Sequence, residues 1–410
     1  MNFLGWIDHD GTREVAILRA LGAARGNDAR DELGLGTIRD SFADLFFPGI
    51  STIQQRVRYF LFVQWCCELA AAQGDADKVV ARLRANEEAL IGSLKHLGEG
   101  HGVIGILSQE DLERMPSEIY WNGLAVLGMR RMRGGRPRWA RQVAASRRAA
   151  RESNLLDEGG TPKVDLGFDA DRPDPPKGFP DIDELDFCLT RDEGDFLRSR
   201  LTAACIDVDR LGHRYNLFGP FSRYRRTTRA AWLWDHPRIG TLKPEVRDMV
   251  MLAAAFARIM HGAAILYNVC VARLLPPSPD ATSLVAQHSK TFNDWAGSIG
   301  AADVDLLARR LPEIPGLGAL TRHRIDDRTL NFVRRWNELA PGGADLLEHA
   351  GALTLVGDRE VYLKGGGGTS RIRFAKQRER WRGDSGTQMM DYRWFRARSC
   401  LNDLAAKPNA

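Results

Sequence analysis

The chain has 410 residues, 44% apolar and 27% charged, with a formal net charge of +5 and 18 prolines. That length suits two or three domains, and the composition is that of a soluble globular protein rather than a disordered chain. The six cysteines, Cys66, Cys67, Cys188, Cys205, Cys270 and Cys400, form no CxxC pair. A zinc ribbon and a disulfide framework are therefore unsupported, and reduced thiols with no metal and no cofactor are expected.

The N-terminus, MNFLGWIDHDG, reaches Asp8 and Asp10 before any basic cluster or long apolar core. It lacks a secretory layout, so a cytoplasmic location is expected. From Asp31 to Trp65 helix and turn signals agree. Thr37 with Asp40 is spaced to cap a helix carrying Ile38, Phe42 and Leu45 on one face, and Pro48 and Gly49 stop it. Ser51 with Gln54 has the spacing of a second capping box ahead of Ile53, Val57, Phe60, Leu61 and Trp65. Further helices are predicted over 12–21, 78–97, 108–114, 117–132, 190–204, 243–275 and 326–339. Thr190 and Glu193 make another capping box there. The apolar run 249–272 carries Arg258 and His261 near its middle, which suits a buried helix and argues against a membrane span. Strand-like alternation is confined to 353–356, 359–363 and 371–374. The expected fold is mainly α, a multi-helix globular body with a small β feature near the C-terminus.

Charge is distributed unevenly. Nine arginines and no acidic residue lie between Arg130 and Arg151. The following stretch to Asp195 holds fourteen acidic residues against four basic ones and is rich in glycine and proline. Between Arg359 and Arg398, eleven basic residues accompany four acidic ones, with aromatics interleaved. We divide the chain accordingly into an N-terminal helical domain (1–151) ending in the Arg-rich segment, an acidic linker (152–189), a central helical domain (190–345) and a basic, aromatic C-terminal region with a Gly-rich hairpin (346–410).

The basic segments are the strongest functional lead, because arginine pairs bidentately with phosphate and aromatics can stack on bases. The candidate contacts are Arg130, Arg131, Arg133, Arg136, Arg138, Arg141, Arg147 and Arg148 in the first segment. In the second they are Lys364, Arg371, Arg373, Lys376, Arg378, Arg380, Trp381 and Arg382. The competing reading is a helical arm neutralised by the acidic stretch that follows it.

Other motifs carry less. Lys364 precedes GGGGTS, whereas a Walker A loop places lysine after its glycines. The GLG at 34–36 lacks a third glycine and reads as a tight turn. His288, Lys290 and Asp294 approach the phospholipase D-type nuclease pattern but are one residue short and occur once. Asp181, Asp183, Glu184 and Asp186 are carboxylates of the kind that hold Mg²⁺, yet lack a lysine at the two-residue spacing of a restriction-type nuclease. His261 reads as a core histidine. No catalytic residue is proposed.

FLGWID (3–8), the run 31–65, PSEIYWNGLAVLGM (116–129), LDFCLTRDEGDFLRSRL (185–201), HGAAILYNVCVARL (261–274) and DYRW (391–394) together resemble a bacterial family known only as a domain of unknown function, the 6361 group. The resemblance covers almost the whole chain and brings no catalytic residues with it. It implies a setting: such genes look like companions of helicase-like and phospholipase D-like nuclease genes in anti-phage loci. The reading that follows is a non-catalytic accessory protein that binds nucleic acid, DNA ahead of RNA, and docks such partners, with no membrane role. A nuclease with a non-standard metal site and a pure protein-interaction scaffold are the alternatives.

Overall fold

A computed structural model describes residues 31–98, 101–105, 114–152, 164–183, 185–206, 209, 211–365 and 368–406. In chain order the helices are α1 (Gly36–Phe46), α2 (Tyr59–Ala70), α3 (Ala76–Leu94), α4 (Pro116–Val126), α5 (Arg136–Glu152), α6 (Arg191–Ala203), α7 (Phe218–Ser222) and α8 (Pro244–Arg273). They are followed by α9 (Pro279–Ser298), α10 (Ala301–Arg310), α11 (Ile314–Thr321), α12 (Asp327–Leu339), α13 (Ala350–Leu363), α14 (Ala375–Arg378) and α15 (Trp394–Ala405). The residues cluster into two compact units. The first comprises 31–41 and 248–391, and the second 42–247 and 392–406. Both units are discontinuous, whereas the composition-based division runs segment by segment.

The mainly helical expectation holds; the β feature does not. Residues 353–356 and 359–363 lie within α13, where Ala352, Leu355, Val356, Arg359 and Glu360 are buried at helical spacing and His349 Nδ1 caps the Ala352 N–H at 3.1 Å. Local alternation was outweighed by this 3.6-residue period. Residues 371–373 form a turn, and among the described residues there is no strand, the Arg130 and Phe168 pairing being an isolated bridge. Gly366 and Gly367, the helix expected over 12–21, and residues 108–113 of the helix expected over 108–114 lie outside the described residues.

In the first unit α8 is the central element. Its most apolar window is 78% buried, so the protein itself covers the surface that length and hydropathy alone would assign to lipid. Trp295 and Trp336 donate their indole N–H groups to Arg258 O and Ile259 O, each at 2.8 Å. Gly262 lets the first of these rings approach: a Cβ there would stand 2.2 Å from Trp295. Arg258 is ion-paired with Asp303 at 3.0 Å, and His261 Nε2 donates to Thr387 O at 2.8 Å. The core reading of His261 therefore has its partner.

In the second unit α2 is buried on nearly every face and packs against α3 and α4. It begins at Tyr59 rather than Ser51. Gln54 instead folds back, accepting from Ser51 N at 3.1 Å and donating to Gly49 O at 3.1 Å, while Tyr120 Oη accepts from Gln55 N at 2.8 Å. These bonds hold 51–58 as a loop. Gly49, at φ +82°, ends the turn after α1 where Leu127 approaches, and a Cβ on Gly123 would meet Gly49 O at 2.5 Å. At the start of α1 the cap is Asp31, whose carboxylate accepts from Leu35 N and Gly36 N, and Thr37 is already inside the helix. The Thr190–Glu193 capping box of α6 forms as expected.

Candidate nucleic-acid interface

Helix α5 carries most of the first basic segment. Trp139, Ala140, Val143, Ala144 and Ala150 are buried, and the helix packs against α3. Trp139 lies 5.9 Å from both Trp121 and Phe168, and the two indoles donate to Leu166 O at 2.9 Å and Gly134 O at 2.8 Å. With that stripe turned inward, Arg138, Arg141 and Arg148 recur at helical spacing on the solvent side. Together with Arg133 and Arg151 they are exposed. None of the five forms an ion pair among the described residues. Asp75 and Glu152 border the same cleft as Arg141 and Arg148, but Asp75 pairs with Lys78 at 3.3 Å.

Arg130, Arg131 and Arg136 are bonded to neighbouring groups of the fold. Arg130 is buried, its guanidinium 4.5 Å above the Trp121 ring and bonded to Met132 O and Gly134 O. Arg131 Nη2 reaches Asp165 at 2.9 Å and Phe168 O at 3.1 Å. Arg136 binds Glu118 and, at 2.9 Å, Ser117 Oγ. Arg147 is half-buried. Burial, joined by the neighbouring Arg151 cation, lowers its pKa below the usual arginine value, a sign of crowded positive charge. Neutralisation by the acidic stretch is thus realised at Arg131, while residues 153–163 lie outside the described residues.

The second basic set belongs to the first unit and is likewise divided. Lys364 Nζ lies 2.5 Å from Glu32 and 2.8 Å from Glu360, and Arg371 Nη1 is 2.5 Å from Glu32 and 3.0 Å from Ser385 Oγ. Lys364 is only 17% exposed and Arg371 7%. Burial alone would raise the Glu32 pKa, but the Lys364 hydrogen bond and the Arg371 charge outweigh it and hold the carboxyl below its usual value. Arg378 Nη1 donates to Arg371 O at 2.9 Å, and Trp381 is buried beside His288. Lys364 and Arg371, expected among the phosphate contacts, are thus held in a buried ion network. Arg373, Lys376, Arg380 and Arg382 are exposed.

The remaining motifs settle into structural roles. His288 is buried and donates Nε2–H to Gly383 O at 2.7 Å, while Lys290 and Asp294 pair on the helix surface at 3.1 Å. Asp186 accepts from Arg58 at 3.2 Å and from Cys188 N at 2.8 Å, and Glu184 is outside the described residues. Among the described residues no group of three His, Cys, Asp or Glu side chains is arranged to hold a metal ion. Cys66, Cys67 and Cys400 are buried, and burial raises their thiol pKa values. A cavity of about 660 Å³ lies over Arg58 and Glu193, but Asp171, Asp174, Asp192 and Asp195 line it. Its walls repel a polyanion.

The contacts join sequence runs that are individually distinctive: FPGI meets WNG at Gly49 and Gly123, and HGAAILYN makes room for Trp295 at Gly262. A family model described as a family of unknown function, DUF6361, matches residues 1–407. The chain belongs to this family. No curated protein and no solved structure matches it. The family description assigns no residue a role, so the site rests on the geometry above.

The division between structural and outward arginines was accessible from spacing: Trp139, Val143 and Ala150 mark the inner stripe of α5. A further exposed arginine group, Arg223, Arg225, Arg226 and Arg229, lies outside both basic segments.

Proposed function

We propose that the protein is a non-catalytic accessory factor that binds nucleic acid, DNA ahead of RNA, through the outer face of α5. The observation carrying this reading is the set of exposed arginines, Arg138, Arg141, Arg148 and Arg151 on a helix anchored by Trp139, with Arg133 exposed just ahead of it. Exposed guanidinium groups without carboxylate partners suit phosphate oxygens, and each phosphate neutralised releases counterions. Arg373, Lys376, Arg380 and Arg382 offer a further set of exposed cations.

Partner docking and a place in anti-phage defence beside helicase-like and phospholipase D-like nuclease proteins follow from the family resemblance and belong to the same proposal. Purified full-length protein is titrated into labelled duplex DNA at about 50 mM salt, where phosphate contacts are strongest. Binding that weakens steeply with salt supports the proposal, and no retention under these conditions overturns it. Adding Mg²⁺ or Mn²⁺ to plasmid and single-stranded DNA tests the nuclease alternative, which cleavage lost in Asp183→Ala and Asp186→Ala would favour.

A further inference from the structure

Between His213 and Asp235 the chain carries no acidic residue, yet it holds Arg214, Arg223, Arg225, Arg226 and Arg229. All five of these arginines are exposed, and none forms an ion pair among the described residues. Asp209 does not offset them. It accepts from the backbone N–H groups of Leu211 and His213 at 2.9 and 2.8 Å, and from His213 Nδ1 and Tyr215 Oη at 2.8 and 2.7 Å, so it is occupied by its own turn. Positive charge accumulates instead. Burial, followed by repulsion from Arg225, lowers the pKa of Arg198 below the usual arginine value.

The loop bearing these arginines is fixed to the body of its unit. Thr228 N donates to Asn402 Oδ1 at 2.8 Å, and Asn402 Nδ2 donates back to Thr228 O at 3.2 Å. Ala230 O accepts from Trp394 Nε1 at 3.0 Å and from Arg398 Nη1 at 2.7 Å. Three side chains of α15 thus hold the segment from which Arg225, Arg226 and Arg229 emerge. Immediately beyond, Trp232 and Trp234 stack with ring centroids 5.4 Å apart and planes inclined by 6°. Trp234 is buried and Trp232 is half-buried, so the pair is an aromatic stack with its outer member partly open to solvent.

We infer that the Arg223–Arg229 loop and Trp232 form a second contact surface that takes single-stranded nucleic acid, arginines on the phosphates and the outer indole against a base. This rests on the nucleic-acid reading above and adds the class of strand. A partly open indole backed by a second ring has little to offer a duplex whose bases are already stacked. An unpaired base gains from it, because every base has a π-face and stacking on an aromatic side chain tolerates any sequence. The anchored loop also limits the ordering cost of binding.

The test uses the full chain and three probes of matched length at low salt: a deoxythymidine strand, an abasic strand and a duplex. The expected result is that the base-bearing strand binds at least about fivefold more tightly than the abasic one, the low end of one stacked base. Trp232→Ala is expected to abolish that ratio and leave duplex affinity within about twofold, since the phosphate contacts remain. Arg225→Ala with Arg226→Ala, which removes no buried group, is expected to weaken the strand and flatten its salt dependence. Equal binding of the base-bearing and abasic strands, or a ratio that survives Trp232→Ala, overturns the inference while duplex binding leaves the broader reading intact. If none of the probes is bound, both fail together.

Discussion

Glu32 and Arg371 lie 339 residues apart in the chain, and their side chains meet at 2.5 Å in the interior of one unit. Lys364, Glu360, Ser370 and Ser385 complete the network, with Ser370 Oγ donating to Glu360 at 2.5 Å and Ser385 Oγ to Glu32 at 2.9 Å. Two carboxylates and two cations balance, which is the condition for keeping charges buried. Arg371→Ala is expected to cost about 3–5 kcal/mol of stability, because Glu32 is left buried with a weaker partner set. Urea unfolding of the variant measures this, and a loss below about 1 kcal/mol would show that the network contributes little.

The outward arginines of α5 should behave in the opposite way. Arg138→Ala, Arg141→Ala and Arg148→Ala remove no buried partner, so each is expected to change stability by no more than about 0.5 kcal/mol. Thermal unfolding of the three variants beside Arg371→Ala distinguishes surface cations from structural ones. A large drop in melting temperature for Arg141→Ala would place that side chain in the fold.

This contrast marks where the sequence was legible. Pro48–Gly49, Thr190–Glu193 and Asp326, which accepts from Thr329 N at 2.8 Å, mark helix ends through bonds made within a few residues, and those ends lie where local spacing puts them. Arginine density, by comparison, reports charge and not exposure. Arg130 and Arg371 are internal because Trp121 and Glu32, distant in sequence or in spacing, receive them. The 353–363 run reads as strand for a related reason: its helix shows only when the buried Arg359 and Glu360 count toward the inner face. Arg359 is held there by Leu33 O at 2.9 Å and Thr329 Oγ1 at 2.7 Å, partners from other helices and loops.

Glu87 gives a pH dependence. Its buried carboxylate accepts from Ser117 N at 2.5 Å and Ser117 Oγ at 3.1 Å, yet burial dominates and raises the carboxyl from 4.5 to about 7. The folded value is the higher one, so stability from this group is complete below pH 4.5 and is lost as pH rises through 7. The full loss is about 3 kcal/mol. Glu87→Gln keeps an acceptor for Ser117 N without the ionisation and is expected to flatten the stability profile between those limits. Denaturation curves collected across that range check it, and an unchanged slope would remove Glu87 as its source.

Gly262→Ala should be among the most damaging small substitutions. The added methyl would stand 2.2 Å from the Trp295 ring, which is itself held by its bond to Arg258 O at 2.8 Å. Overpacking of this kind costs about 1–3 kcal/mol or more. Near-ultraviolet circular dichroism reports the tryptophan packing, and a wild-type spectrum with unaltered stability would contradict the close approach.

The central claim is that the outer face of α5 contacts phosphates, and the slope of duplex DNA affinity against salt concentration tests it most directly. The combined variant Arg138→Ala, Arg141→Ala, Arg148→Ala should bind more weakly and lose about 0.9 from that logarithmic slope for each phosphate contact removed, or about 2–3 in all. A variant with wild-type affinity and an unchanged slope would contradict the account.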